Sequence, residues 1–151
     1  MTIEAEIRQI NPFRSPYHRV IVNLIYTSNW MSDSQSKLLK PFGLTLQQYN
    51  VLRILRGKFP EPVKVSDITE RMLDKMSNAS RLVDKLLLKE LVLRTECPAD
   101  RRAVDVVITN AGMALLTKID VLLGEWEQEQ RSKLTEAEAI ELSCLLDKMR
   151  S

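Results

Sequence analysis

The sequence has 151 residues, of which 44% are hydrophobic and 28% are charged, with a formal net charge of +2. This length and composition predict a single globular domain, residues 1–151, and the mild charge favours no class of partner by itself. No apolar run reaches the roughly 18 residues of a membrane span, so we expect a cytoplasmic protein without a membrane partner. Two cysteines, Cys97 and Cys144, and one histidine, His18, offer neither a metal-ligand cluster nor a catalytic triad. We therefore predict no metal, no cofactor and no enzyme activity.

The first 40 residues are predicted to be helical. Apolar residues at three- and four-residue spacing indicate a short helix or ordered arm in residues 1–16 and a long helix in residues 17–40, which ends before Pro41. In the long helix these positions are Val20, Ile21, Leu24, Ile25, Met31, Leu38 and Leu39.

A further helix and a short strand are predicted between residues 45 and 65. Thr45 and Gln48 have the spacing of a capping box, and Gly57 ends the helix that follows. Residues 63–65 are expected to form a short strand that pairs with a β-ribbon further along the chain.

Residues 66–89 are predicted to form two helices joined by a tight turn. The first spans about residues 66–73, with Ser66 as its N-cap and three core-facing residues, Ile68, Met72 and Leu73. The second spans about residues 77–89, with an apolar stripe of Ala79, Leu82, Val83, Leu86 and Leu87. Its opposite face carries Ser77, Asn78, Ser80, Arg81, Asp84 and Lys85. Such a face suits a helix whose N-terminus enters a DNA major groove, although an ordinary solvated face has a similar composition.

Residues 91–96 and 103–109 are predicted to form the two strands of the ribbon, because both are rich in apolar and β-branched residues. The connection between them contains Asp100, Arg101 and Arg102. Adjacent arginines at the end of a rigid arm can reach phosphates or a minor groove. Their position directly after the helix pair favours this role over that of a solvated turn.

Residues 110–132 and 135–149 are predicted to be two more helices. Thr109 or Asn110 caps the first, and Thr135 with Glu138 forms a capping box at the second. Together with the N-terminal helices they carry more apolar surface than the small core between them can cover. Such a surplus usually pairs with a second copy of the chain, so a homodimer is expected.

Five segments resemble, in order and spacing, the winged helix-turn-helix of the multiple-antibiotic-resistance regulator (MarR) family of bacterial transcription factors. They are Ile68-Thr69-Glu70-Arg71-Met72, Ser80-Arg81-Leu82-Val83-Asp84-Lys85-Leu86, Leu91-Val92-Leu93-Arg94, Asp100-Arg101-Arg102-Ala103-Val104 and Ile108-Thr109-Asn110-Ala111-Gly112. The resemblance covers residues 17–150. It implies a mostly α fold with a small β-wing: a winged helix-turn-helix DNA-binding lobe at residues 45–109 and N- and C-terminal dimerisation helices at residues 1–40 and 110–151.

Two positions depart from the family pattern, which usually has a glycine in the turn between the two helices and another before the wing. Leu73 or Asp74 stands at the first position and Glu90 at the second. Aspartate tolerates a left-handed backbone better than most residues, so Asp74 is expected to replace the first glycine.

The resemblance implies a sequence-specific regulator of transcription, a homodimeric repressor that binds double-stranded DNA at a pseudo-palindromic operator. Arg81 and Asn78 are predicted to contact base edges, because arginine matches guanine and asparagine matches adenine. Ser77, Ser80 and Lys85 are predicted to contact phosphates. In the family's Asp-x-Arg wing pattern, matched by Asp100 and Arg102, the arginine enters the minor groove and the aspartate orients it. Arg101 would then contact a phosphate.

Release by a small aromatic or anionic effector is implied by the resemblance alone. In the family, effectors bind in a cleft between the dimerisation helices and the DNA-binding lobe, and the helix that would line it carries Tyr17, Tyr26, Trp30 and Met31. The dimer core would use the same side chains. Two alternatives stay open. One is a winged-helix protein-interaction module without DNA binding, which the cations of the second helix disfavour. The other is a redox-responsive regulator using Cys97, whose thiolate the neighbouring carboxylate of Glu96 disfavours.

Overall fold

The computed structural model describes the backbone of residues 1–97 and 99–151, together with the side chains of these residues except 96, 97 and 100–103. The chain forms two compact units, Met1–Leu46 and Gln47–Ser151. Each helix among the described residues is too short or too polar to cross a membrane.

The first unit consists of a short and a long helix. α1 spans Ile3–Glu6 and α2 spans Pro16–Leu39, followed by a 3-10 turn at Lys40–Phe42. α2 begins within one residue of the predicted start, because the Ser15 hydroxyl accepts the His18 backbone N–H and Pro16 suits the first helical turn. α1 contacts α2 through Arg19 Nε, which donates to Glu4 Oε1 at 2.6 Å.

The second unit opens with a helix, a short strand, a helix pair and a two-stranded ribbon. In chain order these are α3 Leu46–Arg56, β1 Val63–Lys64, α4 Val65–Arg71, α5 Ala79–Leu88, β2 Val92–Cys97 and β3 Asp100–Ile108. The strands form an antiparallel sheet in the order β1-β3-β2, with Val63 opposite Val106 and Val92 opposite Ile108. The mostly helical fold, the short strand and the ribbon predicted from the sequence are confirmed.

The core of this unit is formed by one face of each helix and of the sheet. α4 and α5 contact each other, α4 contacts β1 and β3, and α5 contacts β2. The largest fully buried side chains are aliphatic or Met: Val51, Leu52, Leu55, Ile68, Met72, Val83, Leu86, Val92, Val106, Leu116 and Ile119. Because helix pair and sheet share this core, α5 has a fixed position relative to the ribbon.

Two capped helices complete the chain, α6 Asn110–Arg131 and α7 Glu136–Arg150. The Thr109 hydroxyl accepts the Gly112 N–H, and Thr135 forms the predicted capping box with Glu138. The first half of α6 joins the core of the second unit, and Arg56 of α3 pairs with Asp120 at 2.5 Å. Residues 110–151 therefore belong to the same compact unit as residues 47–109. The sequence prediction instead assigned residues 110–151, together with residues 1–40, to dimerisation.

Helix and strand ends differ from the prediction where side chains satisfy the backbone. α4 begins after Lys64 rather than Ser66 and ends at Arg71, and the Leu73 N–H donates to Asn50 Oδ1 at 2.9 Å. Leu73 is 88% exposed, so its predicted place in the core is wrong. The ribbon extends further than predicted, since β3 begins at Asp100, which pairs with Cys97.

A left-handed backbone occurs at only one of the two positions where the family has glycine. Among the described non-glycine residues, φ is positive at Arg8 and Glu90, so the prediction for Asp74 is wrong. Glu90, which follows the C-cap residue Lys89 of α5, has φ +59°; its N–H donates to Leu87 C=O, and the Leu91 N–H donates to Leu86 C=O. This pair of bonds is a Schellman ending, which requires that backbone conformation.

Both terminal regions expose apolar helical surface. α7 has no buried residue along its length. Large apolar side chains that are at least a third exposed include Tyr17, Val20, Ile21, Ile25, Tyr26, Trp30 and Met31 on α2, and Ile140, Leu142, Leu145 and Met149 on α7. An isolated chain therefore presents the surplus apolar surface expected from the sequence.

Candidate nucleic-acid interface

α5 has one buried and one exposed face, as its sequence predicts. Ala79, Val83 and Leu86 are buried on the side of α5 that packs against α4 and β2. The exposed face carries Ser80, Arg81, Asp84 and Lys85. Three of these four side chains can donate hydrogen bonds, and the two cations lie one turn apart. The arrangement is suited to phosphates and to base edges that carry acceptors.

Asn78 forms the N-cap of α5. Its Oδ1 accepts the Arg81 backbone N–H at 3.1 Å, while its own backbone is extended. A bidentate contact with adenine would need both Oδ1 and the amide nitrogen, and the cap already uses Oδ1. The base contact of Asn78 stays a prediction, and in the structure its side chain caps the N-terminus of α5.

The turn before α5 is held by side chains. Asp74 accepts the Met76 backbone N–H at 3.0 Å and the Gln47 amide at 3.4 Å, and the Ser77 N–H donates to Asp74 C=O. The Met76 N–H, followed by the Gln47 amide, lowers the pKa of Asp74 below its usual value. The Ser77 hydroxyl is buried beside this carboxylate and has no hydrogen bond of normal geometry to the described residues.

These residues surround a shallow depression at the N-terminal end of α5. Its volume is about 260 Å³, and its lining is Gln47, Asp74, Met76, Ser77, Asn78, Arg81, Leu82 and Lys85. We call it the α5 depression. It brings together four of the predicted contact residues, Ser77, Asn78, Arg81 and Lys85, whereas Ser80 is exposed on the helix beside it.

An ion pair links α5 to the ribbon. Arg94 of β2 contacts Asp84 Oδ1 at 3.0 Å, with both side chains more than a third exposed. An exposed pair of this kind contributes about 0–1 kcal/mol to stability. Its main consequence is electrostatic, because it neutralises the one acidic residue on the exposed face of α5 and leaves Arg81 and Lys85 as the net charge there.

The predicted wing contacts lie on the first residues of β3. Asp100, Arg101 and Arg102 lie in β3, and Asp100 pairs with Cys97 beyond a register shift between Glu96 and Cys97 of β2. The side chains of all three, and that of Cys97, lie outside the described residues. Their contacts with DNA and the redox hypothesis for Cys97 therefore stay predictions. Cys144 is exposed on α7.

The four predicted effector residues do not share one surface of α2. A helix turns by about 100° per residue, so Tyr17 and Met31 lie on the side opposite Tyr26 and Trp30. Tyr17 is 82% exposed, while the Tyr26 hydroxyl donates to Glu6 Oε2 at 2.9 Å, which raises the Tyr26 pKa. Tyr26 also lines a concavity of about 430 Å³ with Met1, Thr2, Ile3, Glu6, Arg19, Asn23 and Thr27. One effector site in one chain cannot use all four residues.

Sequence reasoning placed Asp74 in the turn but gave it a left-handed backbone instead of its hydrogen-bonding role, and it missed Gln47 and Met76. A signal for Asp74 was present, since aspartate commonly accepts the backbone N–H two residues ahead in a turn. Gln47 and Met76 carried none, because their importance depends on the spatial proximity of α3 to the turn.

The helix pair, the ribbon and the exposed cationic helix define a winged helix-turn-helix protein. A family model described as the MarR family matches residues 44–104. The multiple antibiotic resistance protein MarR of Escherichia coli (strain K12) is 30% identical over 129 residues, which cover 83% of this chain and 88% of MarR.

Solved structures of MarR proteins are also similar to this chain. A MarR transcription factor from Planctomyces limnophilus is 32% identical, with 90% of this chain and 98% of that chain covered and a TM-score of 0.68. A mutant of Escherichia coli MarR complexed with operator DNA is 26% identical, with coverage of 89% and 98% and a TM-score of 0.72. The chain belongs to the MarR family of transcriptional regulators.

Proposed function

We propose that this protein is a homodimeric, sequence-specific repressor that binds a pseudo-palindromic operator in double-stranded DNA. The carrying observation is the α5 depression: a capped helix N-terminus with exposed Arg81 and Lys85, fixed on a core shared with the ribbon. The operator complex of a related MarR protein supports this use of the fold. A repressor of this kind acts where a bacterial chromosome lies, in the cytoplasm, and needs no catalytic group.

In the proposed complex, α5 enters the major groove with its N-terminus first. Arg81 contacts a base edge, because its guanidinium matches the two acceptors of guanine. Ser80 and Lys85 contact phosphates on either side. The Ser77 hydroxyl is buried beside the Asp74 carboxylate, so the phosphate contact predicted for Ser77 is left out of the proposed complex. Asn78 holds the helix start through Oδ1, and its amide nitrogen donates to an acceptor on DNA.

The wing supplies the second contact. Arg102, oriented by Asp100, enters the adjacent minor groove, and Arg101 contacts a phosphate. The pairing of Asp100 with Cys97 supports this proposal, because it joins the first residue of β3 to β2 at the end of the ribbon. Ordered positioning reduces the entropy lost when the arginines bind.

The dimer is formed by residues 1–40 and 110–151, and the lobe at residues 45–109 binds DNA. The exposed apolar side chains of α2 and α7 support this division, since a monomer rarely leaves so much apolar surface in water. Two recognition helices related by a twofold axis read half-sites whose centres lie about 10 to 11 base pairs apart.

Release by a small aromatic or anionic effector completes the proposal. Because Tyr26 and Trp30 lie opposite Tyr17 and Met31 on α2, a single chain offers two separate candidate surfaces. The surface with Tyr26 offers an aromatic ring for an aromatic effector, while its cation Arg19 is paired with Glu4.

Two alternatives make different predictions about DNA. A winged-helix module that binds only proteins would not need the cations that face outward from α5, and those cations favour DNA. A redox-responsive regulator would release DNA on treatment with peroxide, and a Cys97→Ser variant would not.

Selection of bound fragments from the organism's genomic DNA tests the proposed function. We expect enrichment of one palindromic sequence by the parent protein. Arg81→Ala should relax the preference at one base pair in each half-site, whereas the matched control Arg150→Ala, at the end of α7, should select the same sequence as the parent. Recovery of random fragments by the parent protein would contradict sequence-specific binding.

A further inference from the structure

Two apolar side chains stand in water in the turn that precedes α5. Met76 is 92% exposed and Leu73 is 88% exposed, values well above those of the apolar side chains of α2 other than Tyr17. Scattered exposed apolar residues need no explanation, but Met76 also lines the α5 depression, together with Asn78, Arg81 and Lys85. Met76 is thus an exposed apolar side chain beside the cations Arg81 and Lys85, on the surface that is proposed to meet DNA.

The turn holds Met76 in place through its backbone. The Met76 N–H is bonded to Asp74 Oδ1 at 3.0 Å, Asp74 is bonded to the Gln47 amide, and the neighbouring Ser77 N–H is bonded to Asp74 C=O. The side chain is therefore carried by an ordered backbone. A flexible, polarizable thioether on such a support can adapt to a small apolar group at low cost.

Charge indicates which part of DNA this side chain meets. Asp74 lines the same depression and its carboxylate is ionised at neutral pH, so a phosphate beside Met76 would be repelled. Base edges carry no net charge. Among the four base pairs, the group in the major groove that an apolar side chain can contact is the 5-methyl group of thymine.

We propose that Met76 is a specificity-determining residue that packs on a thymine 5-methyl group beside the base pair read by Arg81. The inference rests on the proposed DNA binding and adds a base preference to it. One thymine in each half-site is then recognised by apolar contact, so cytosine at that position is disfavoured although it is also a pyrimidine. The ordered turn, and not α5 itself, supplies the contact.

Replacement of thymine by deoxyuridine tests the contact directly, because it removes only the methyl group. The probe is the duplex recovered by the genomic selection, with each thymine replaced in turn in both half-sites. For the parent protein we expect one position at which replacement weakens binding by about fourfold per half-site, the effect of one buried methyl-sized group. Met76→Ala should bind the thymine duplex more weakly and lose the difference between thymine and deoxyuridine at that position.

The matched control is Leu88→Ala. Leu88 is 86% exposed at the opposite end of α5, so its loss changes exposed apolar area equally without changing the depression. This variant should keep the parent's profile across all deoxyuridine duplexes. Met76→Gln, which keeps the side-chain length, should behave like Met76→Ala.

Three results would overturn the inference. They are a parent protein that is insensitive to every replacement, a Met76→Ala variant with the parent's full deoxyuridine profile, and an equal loss of affinity for thymine and deoxyuridine duplexes. The last result would mean that Met76 contacts the sugar or stabilises the turn. Each is distinct from failure of the proposed function, in which the parent protein would bind no specific duplex at all.

Discussion

At the residue scale, the two ends of α5 are fixed by Asn78 and Glu90. Asn78 satisfies an N–H group that the first turn of any helix leaves without a partner, and Glu90 takes up the left-handed backbone that ends the helix. The left-handed backbone is unfavourable for Glu90, because any residue with a Cβ atom adopts it at a cost of about 1–2 kcal/mol. Glycine has no such cost, which explains why glycine is usual at this position in the family.

Glu90→Gly is therefore expected to stabilise the protein. The gain should be about 1 kcal/mol in the free energy of unfolding, because glycine adopts φ +59° without steric cost but loses more entropy on folding. The measurement is urea denaturation followed by circular dichroism. Lys89→Gly is the comparison: its φ is −91° and its Nζ donates to the buried Gln48 Oε1 at 3.1 Å, so it should destabilise by about 1–3 kcal/mol. Equal effects of the two substitutions would contradict the assigned conformation.

Asn78 has a capping role that can be separated from its predicted base contact. Asn78→Ala should lose about 1 kcal/mol of stability with the cap, whereas Asn78→Asp keeps an oxygen acceptor for the Arg81 N–H and should stay near parent stability. If the amide nitrogen donates to DNA, Asn78→Asp should still bind the operator poorly, because a carboxylate cannot donate and repels phosphate. Parent-like affinity of Asn78→Asp would leave Asn78 with the cap alone.

At the element scale, α6 packs closely against the ribbon because Gly112, in its first turn, has no side chain. A Cβ atom at Gly112 would lie 2.4 Å from Leu91 O and 2.7 Å from Ile108 Cγ1. The same region is tied by the Thr109 hydroxyl, which donates to Glu90 C=O at 2.9 Å. The end of α5, the start of β2 and the start of α6 therefore meet within a few ångströms, and this junction connects the DNA-binding lobe to the helix that leads to α7.

Gly112→Ala should disrupt that junction. The added methyl group meets backbone, which must shift, so we expect a loss of about 1–3 kcal/mol in the free energy of unfolding, measured by thermal melting. Gly124→Ala is the control in the same helix. Nothing lies within 4 Å of its Cβ position, so the better helix propensity of alanine should stabilise by up to about 1 kcal/mol. A neutral Gly112→Ala would contradict the close seating of α6.

In the proposed complex, the wing contributes to operator binding and not to the stability of the fold. Arg102→Ala should weaken operator binding by about 1–3 kcal/mol without lowering the melting temperature, since an arginine near a hairpin tip supports no core. Arg131→Ala, which removes an exposed arginine from α6, should leave affinity unchanged. Operator affinity that is equal for Arg102→Ala and the parent would remove the wing from the interface.

The elements were predictable to different degrees for physical reasons. α2, α5 and α7 have strong caps and regular apolar spacing, so sequence alone located them within a few residues. The end of α4 was missed because Asn50, on another helix, takes the Leu73 N–H. The extent of β3 was missed because charged residues such as 100–102 are typical of a loop, although Asp100 pairs with Cys97 beyond a register shift. For the site, residues on α5 were accessible to pattern analysis, whereas Gln47 and Met76 join it only through tertiary structure.

At the scale of the whole molecule, the exposed apolar surface of α7 is the feature that an isolated chain cannot account for. Leu142, Leu145 and Met149 lie on one side of the helix and are about half exposed, and no residue of α7 is buried. Because these side chains are already about half buried, covering the rest contributes about 0.8–1.5 kcal/mol each, so both copies of the stripe together add several kcal/mol toward association. A dimer joined in this way also places two recognition helices on one duplex, which multiplies affinity by about a hundredfold or more.

The most direct test of this account is the mass of the protein, free and bound to the selected operator duplex, measured by light scattering. We predict a dimer in solution and two chains per duplex. Leu145→Lys, with a charge in the stripe, should give a monomer with much weaker operator binding, whereas Ser143→Lys, about 200° around the helix, should behave like the parent. A monomer that binds a single, non-palindromic half-site with the affinity of the parent would contradict it.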